Sequence, residues 1–229
     1  MFAAPVNRQL IEEFGRGPRI RVVKWLKRSR GLSVRELAAR LQMSYMGVKQ
    51  HCIELHEAGY LDTWRRPRAE GKPRGRPELV YRPTPKVQEL FPSASNPLLI
   101  EALREAQTLF GPAAAEKLLL AVFRRRAGDL RARVTGDSVL KRARWLCRQR
   151  ENEGFLSDVV GAEGRLAVEE HHSPLQDLFE RFPAMAKFEE DLFTEVLGTP
   201  VRREQTVQGG LYCCRFLTRE PFETKETLF

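Results

Sequence analysis

The sequence predicts a mainly α-helical protein with a small α+β part at its C-terminal end. Three observations carry that reading. Between Gly31 and Tyr60, two apolar-periodic runs are each introduced by a capping serine. Directly after them, two short strand-like runs flank a turn rich in Pro, Gly and Arg. From Leu98 to Asn152 helical spacing resumes, and the Gly-bounded hairpin pattern comes only beyond it. A length of 229 residues allows one large or two small domains, and 42% apolar with 30% charged residues marks a globular chain.

Taken in order, Pro5 to Phe14 reads as a short helix. Pro18 suits the first turn of the next one, with Ile20, Val23 and Leu26 toward a core. Arg21, Lys24 and Arg28 then point outward, within reach of phosphates. Ser33, followed three residues on by Glu36, forms a capping box in which each side chain satisfies a backbone N–H left over at the helix start. Val34, Leu37, Ala38 and Leu41 repeat at helical spacing, and Gln42-Met43 leaves room only for a tight turn. Ser44 caps a second helix from Tyr45 to about Ala58. In that helix Val48, Cys52 and Leu55 share the inner face, while Tyr45, Lys49 and Gln50, with Met46 beside them, share the other. Gly59 supplies the stop, because glycine tolerates the left-handed conformation just past a helix end. Leu61 to Arg66 and Leu79 to Arg82 are strands around the turn Pro67–Pro77, with Leu61 and Trp64 as anchors. Helix, turn, helix and then a hairpin with a basic tip is the order of a winged helix-turn-helix.

Charge points to the same partner. The formal net charge is +9, but residues 1–90 carry 19 Lys/Arg against 9 Asp/Glu and the remainder is close to neutral. The wing crowds Arg65, Arg66, Arg68, Lys72, Arg74 and Arg76, which repel one another unless a polyanion compensates them. Double-stranded DNA is the expected partner. Ser44, Tyr45, Lys49, Gln50 and His51 are the candidate contacts on the second helix, and the six wing cations are the candidates on the hairpin. The alternative is a protein-interaction module whose basic face meets an acidic partner.

Three segments carry a family resemblance: Ser33 to Ala38, Ser44 to His51, and Gly75-Arg76-Pro77 with Tyr81-Arg82. Residues 17–90 resemble the ArsR/DeoR-like bacterial winged-helix regulators, in the branch that includes the repressor of the SUF iron–sulfur assembly operon. The resemblance implies a cytoplasmic, dimeric, sequence-specific DNA-binding regulator, most often a repressor.

Further along, Thr84-Pro85 opens a short helix to Phe91, and Pro92 to Pro97 has linker composition. This divides the chain into a DNA-binding domain at 1–92 and a dimerisation and sensor-like domain at 98–229. Leu98 to Phe110 and Ala113 to about Val134 read as helices separated by Gly111-Pro112. Leu118, Leu119, Val122 and Leu130 form a stripe that suits either a homodimer seam or an intrachain core. Asp137 is the expected cap of a third helix reaching Asn152, and the basic residues from Arg124 to Arg150 read as salt-bridged helix surface. Hairpins at 155–170 and 201–217, separated by two short helices at 174–181 and 184–197, complete the α+β part. Residues 219–229 read as a loose tail.

The order His171-x-Ser173-Pro174, Phe182-Pro183, Glu189-Glu190, Val196-Leu197-Gly198, Gly209 and Cys213 resembles the C-terminal domain of the iron–sulfur-sensing repressors. That family places cysteine ligands at three points. Here Ser173 and Ala186 stand at the first two, and only Cys213 or Cys214 remains. The remaining metal-ligand candidates are His171, His172, Cys213 and Cys214. Adjacent ligands on a strand face opposite ways, so they supply too few donors for a closed zinc or iron–sulfur site; no cofactor is expected, and a metal- or iron–sulfur-responsive sensor-regulator is the alternative. The histidines read as surface or hydrogen-bonded residues, and the acid pairs Glu169-Glu170 and Glu189-Glu190 as surface charges. Four cysteines in a chain this long suit a reduced compartment, with Cys52 a small buried apolar residue. No phosphate loop, nucleophile elbow or zinc-protease helix marks an enzyme. Nothing approaches the roughly 18–20 apolar residues of a membrane span or the pattern of a signal peptide.

Overall fold

The computed structural model describes residues 17–29, 31–66, 78–91, 97–162 and 165–221. The expected helix at Pro5–Phe14, the wing residues Arg68, Lys72, Arg74 and Arg76, most of the Pro92–Pro97 linker and the end of the tail lie outside them. The fold is mixed α+β, with two small antiparallel sheets among its helices. It divides into two compact units, Met1–Phe91 with Gln208–Leu211, and Pro92–Val207 with Tyr212–Phe229.

In the first unit, α1 (Gly17–Lys27), α2 (Val34–Leu41) and α3 (Tyr45–Glu57) precede an antiparallel hairpin of β1 (Leu61–Arg65) and β2 (Leu79–Pro83). The capping box forms at the start of α2. Ser33 N–H donates to Glu36 Oε2 at 2.7 Å, and Glu36 N–H donates back to Ser33 Oγ at 3.3 Å. The turn into α3 places Gln42 at φ 54°, the one non-glycine among the described residues in left-handed backbone. Gly59 at φ 78° ends α3 as expected. Leu32 exchanges backbone hydrogen bonds with Tyr81, so a one-residue bridge flanks the hairpin on the β2 side. Val22, Val23, Leu26, Leu37, Leu41, Val48, Cys52 and Leu55 form the core among the helices. In α1 the inward set is Val22, Val23, Leu26 and Lys27, with Ile20 only half-buried. Lys27 is the unexpected member. Its ammonium donates to Gln88 Oε1 at 2.9 Å and sits 4.1 Å from the Phe91 ring centroid, in a 3₁₀ segment (Pro85–Leu90) and the residue that follows it. Burial pulls its pKa down to about 7.

The second unit contains α4 (Pro97–Phe110), α5 (Ala114–Arg133), α6 (Val139–Asn152), α7 (Gln176–Arg181) and α8 (Met185–Leu197). Its strands β3 (Ser157–Ala162), β4 (Arg165–Glu170), β5 (Val201–Gln208) and β6 (Leu211–Pro221) form one sheet in the order β3-β4-β6-β5. The two expected hairpins therefore join through β4 and β6, and β6 runs on through residues 219–221, which had read as tail. The cap of α6 is Ser138 rather than Asp137. The serine hydroxyl accepts from Lys141 N–H, and Asp137 pairs instead with the Lys141 ammonium at 2.8 Å. Along α5 the buried stripe is Ala115, Leu119, Phe123, Ala127 and Leu130, while Leu118 and Val122 face outward.

Arg150 was expected on a salt-bridged helix surface and Glu170 and Glu189 as surface charges, yet all three are buried. The Arg150 guanidinium donates to both Glu170 oxygens, at 2.7 and 2.9 Å, and also to Glu189. Arg203 donates to the other Glu189 oxygen at 3.0 Å, and Ser157 Oγ donates to Glu170 at 3.1 Å. Two guanidinium groups thus offset two carboxylates inside the core, where unpaired charge is prohibitively costly. The Phe155 ring covers Arg150 at 3.4 Å, and Phe193 stacks on Phe216 with ring centroids 3.6 Å apart. No described helix is long and apolar enough to cross a membrane.

Candidate nucleic-acid interface

The candidate surface is built on α3. Its 3.6-residue period sends Val48, Cys52 and Leu55 into the core and leaves Tyr45, Met46, Lys49 and Gln50 exposed. Ser44 anchors the start by accepting from Gly47 N–H at 3.1 Å, which holds the first turn rigid beneath Tyr45 and Met46. Burial raises the Cys52 thiol to about 12, so it is an inert part of the inner face.

Glu54, two turns into the helix, organises the polar side. It accepts from Arg19 Nε of α1 at 2.7 Å and from Gln50 Nε2 at 3.1 Å, and His51 Nδ1 lies 3.7 Å away. These hydrogen bonds, that of Arg19 foremost, hold the Glu54 carboxyl below its ordinary range. Gln50 is therefore pre-oriented, and His51 is half-buried between Glu54 and the core. The Gln50–Glu54 and His51–Glu54 spacings are legible as i,i+4 and i,i+3 pairs. The Arg19 contact, across 35 residues, is not.

The hairpin cations divide into two roles. Arg65 is exposed at the end of β1, opposite Leu79. Arg66 is engaged within the chain. Its two terminal nitrogens donate to the two Glu36 oxygens at 2.9 and 3.1 Å, and one also donates to the Gly31 carbonyl at 3.2 Å. Its geometry joins the hairpin to the α2 cap, while 38% of its side chain stays exposed. Arg82 lies 3.7 Å from the centroid of Trp64, so the anchor role expected of Trp64 is a stacked cation–aromatic pair across the strands. Arg21, expected to reach a phosphate, donates to the Leu41 carbonyl at 3.1 Å and closes the C-terminal end of α2.

In the second unit His171 and His172 are buried, so of the expected alternatives, surface or hydrogen-bonded, the surface one does not hold. On β6, Cys214 is fully buried on the face of Tyr212 and Phe216, and half-buried Cys213 shares the opposite face with Arg215. The alternation separates the two thiols as a strand must. His171 Nε2 lies 3.7 Å from Glu169, which pairs with Arg215. Among the described residues no three His, Cys, Asp or Glu side chains are grouped to hold a metal ion. Comparison with protein-family models, with curated proteins and with solved structures returns no match for this chain.

Proposed function

We propose that the first unit is a winged helix-turn-helix that binds double-stranded DNA, and that the protein is a transcriptional regulator, a repressor, working as a homodimer. The observation that carries this reading is the outer face of α3. A helix fixed at its start by Ser44 and along its length by a buried stripe presents Tyr45, Met46, Lys49 and Gln50 to solvent. Those groups suit a major groove: glutamine pairs with adenine through two hydrogen bonds, and lysine reads guanine acceptors. The excess charge of residues 1–90 supplies the phosphate term, through Arg65 and the wing cations Arg68, Lys72, Arg74 and Arg76. A two-fold dimer would set its recognition helices about one DNA turn (~34 Å) apart on a pseudo-palindromic operator.

The test is fluorescence anisotropy of the purified full chain against duplexes selected from a random library, across a salt series. The reading expects a recoverable motif and a log–log salt slope of roughly −0.9 per phosphate neutralised. No duplex binding at low salt would overturn it in favour of a protein-interaction module that uses the same basic face.

A further inference from the structure

We propose that Glu54 is a brake on operator recognition, competing with base edges for the Gln50 amide. The inference rests on the DNA-binding reading above and adds the residue that limits how tightly a selected sequence is held. Tyr45, Met46, Lys49 and Gln50 make up the exposed outer face of α3. Within it the Gln50 amide is already engaged: Nε2 donates at 3.1 Å to Glu54 Oε1, one turn further on. The other oxygen, Oε2, accepts from Arg19 Nε of α1 at 2.7 Å. Arg19 thus ties the carboxylate down from a second helix and keeps it from following Gln50 outward. The same hydrogen bonds hold the Glu54 carboxyl below its ordinary range, so it is ionised at neutral pH. A hydrogen bond to an ionised acceptor is roughly twice as strong as one between neutral groups. Bond for bond, Glu54 is therefore a better partner for the amide than a base edge is.

The consequence differs between DNA sequences. Gln50 is exposed and stands one i,i+4 step from Glu54, so it leaves by side-chain rotation alone. On a base edge that offers both a donor and an acceptor, two hydrogen bonds replace one and the amide moves. On a mismatched edge it stays with Glu54. Operator binding therefore loses the Gln50–Glu54 bond, and binding to other duplexes does not. His51 does not replace it, because its Nδ1 stands 3.7 Å from Glu54 Oε2, beyond hydrogen-bond length. Glu54 also repels phosphates, but that repulsion acts on every duplex alike. Arg19, once released from Glu54, would likewise meet the backbone of any duplex. The difference between operator and scrambled DNA isolates the brake.

Fluorescence anisotropy of the full chain on the selected duplex and on a scrambled one, at fixed salt, tests this. Glu54→Ala should tighten operator binding roughly ten-fold beyond its effect on scrambled duplex, as the loss of one competing hydrogen bond to a charged group implies. Glu57→Gln removes an exposed acid of the same helix, two turns from Gln50, and should tighten both duplexes equally. Glu54→Gln keeps an acceptor without the charge and should show about half the differential on a logarithmic scale, roughly three-fold. In the double variant of Gln50→Ala and Glu54→Ala the differential should vanish, because no amide remains to be released. Circular dichroism and melting temperatures check folding, and Glu54→Gln carries the test if Glu54→Ala is unfolded. Equal tightening of both duplexes would reduce Glu54 to a surface charge and overturn the proposal. Weaker operator binding would make Glu54 an aid to readout and overturn it also. No duplex binding by the wild type at low salt would remove the DNA-binding reading, and this inference with it.

Discussion

Arg66 grips Glu36 with both terminal nitrogens, at 2.9 and 3.1 Å, and that carboxylate simultaneously accepts the Ser33 N–H that opens α2. One acid thus fixes a helix start and the base of the hairpin. The Arg66 hydrogen bonds, above all, hold its pKa at about 2. The unfolded chain takes up this proton near the ordinary value, so the stability contributed is fully present above about pH 4.5 and is lost as pH falls toward 2. Both partners are about a third exposed, so solvent screening reduces the effect to about 1 kcal/mol. Glu36→Gln should lower denaturant stability by that amount at neutral pH and by almost nothing at pH 2. An equal loss at both pH values would show that the ion pair contributes nothing.

Lys27 titrates in the opposite sense. Burial lowers its folded pKa to about 7 from an ordinary 10.5, so the native state sheds the proton first. The penalty of burying the charge is fully felt below pH 7 and is relieved as pH rises from 7 toward 10.5. Wild type minus Lys27→Met should therefore gain a few kcal/mol of unfolding free energy across that window, by an order-of-magnitude reading of the shift. At pH 6 the methionine variant should be the more stable. A flat difference between pH 6 and 10 would mean that the ammonium is solvated.

These two residues also mark what could be read from the chain. Glu36 was legible because its cap partner lies three residues away, and periodicity located α2, α3 and the helices through Asn152 to within a residue or two. The inner face of α3 followed from the same spacing. The misses share a cause. Arg66 read as a DNA contact, Lys27 was not singled out, and Arg150, Glu170 and Glu189 read as helix or strand surface charges, because partners 14 to 61 residues away leave no local sign. Nothing local distinguishes a buried Glu170 from its more exposed neighbour Glu169. The α5 stripe divides between the core and the outer face. Leu118 and Val122 are as apolar as Leu119, but α5 needs only one stripe for the core, and Phe123 and Ala127 complete it.

The buried network predicts an asymmetric mutational response. Arg150→Met leaves Glu170 and one Glu189 oxygen without their main counter-charge, which costs about 3–5 kcal/mol. Desolvation already pushes the Glu170 carboxyl upward. Once Arg150 is gone, protonation becomes the only escape, so the deficit should shrink as pH falls below neutral. Glu170→Gln placed on Arg150→Met should recover part of the loss. If the double variant were less stable than Arg150→Met by a full additional increment, the two side chains would not be coupled in this way.

Leu99, Leu109, Phe110, Leu118 and Val122 are exposed on α4 and α5. So many large apolar side chains on a connected helix pair are uncommon on a monomer, and they suit the proposed homodimer. Phe110→Glu and Leu118→Glu together should shift the sedimentation mass from two chains to one without loss of helix content. A monomeric wild-type protein at tens of micromolar would exclude this surface as the dimer seam.

The proposed DNA interface predicts a division of labour. Gln50 exchanges its hydrogen bond to Glu54 for one to a base edge, so Gln50→Ala removes readout while leaving backbone contacts intact. Its affinity for the selected operator should fall by roughly 1–3 kcal/mol, and its affinity for scrambled duplex should hardly change. Arg74→Ala, in the basic wing sequence, should weaken operator and scrambled duplex alike and reduce the log–log salt slope by about 0.9. Arg66→Ala is the control, because its guanidinium is engaged by Glu36: it should lower stability and leave the salt slope intact. If Gln50→Ala and Arg74→Ala lost equal affinity on both duplexes, α3 would contribute only charge and position. Sequence would then have to be read through the deformability of the DNA.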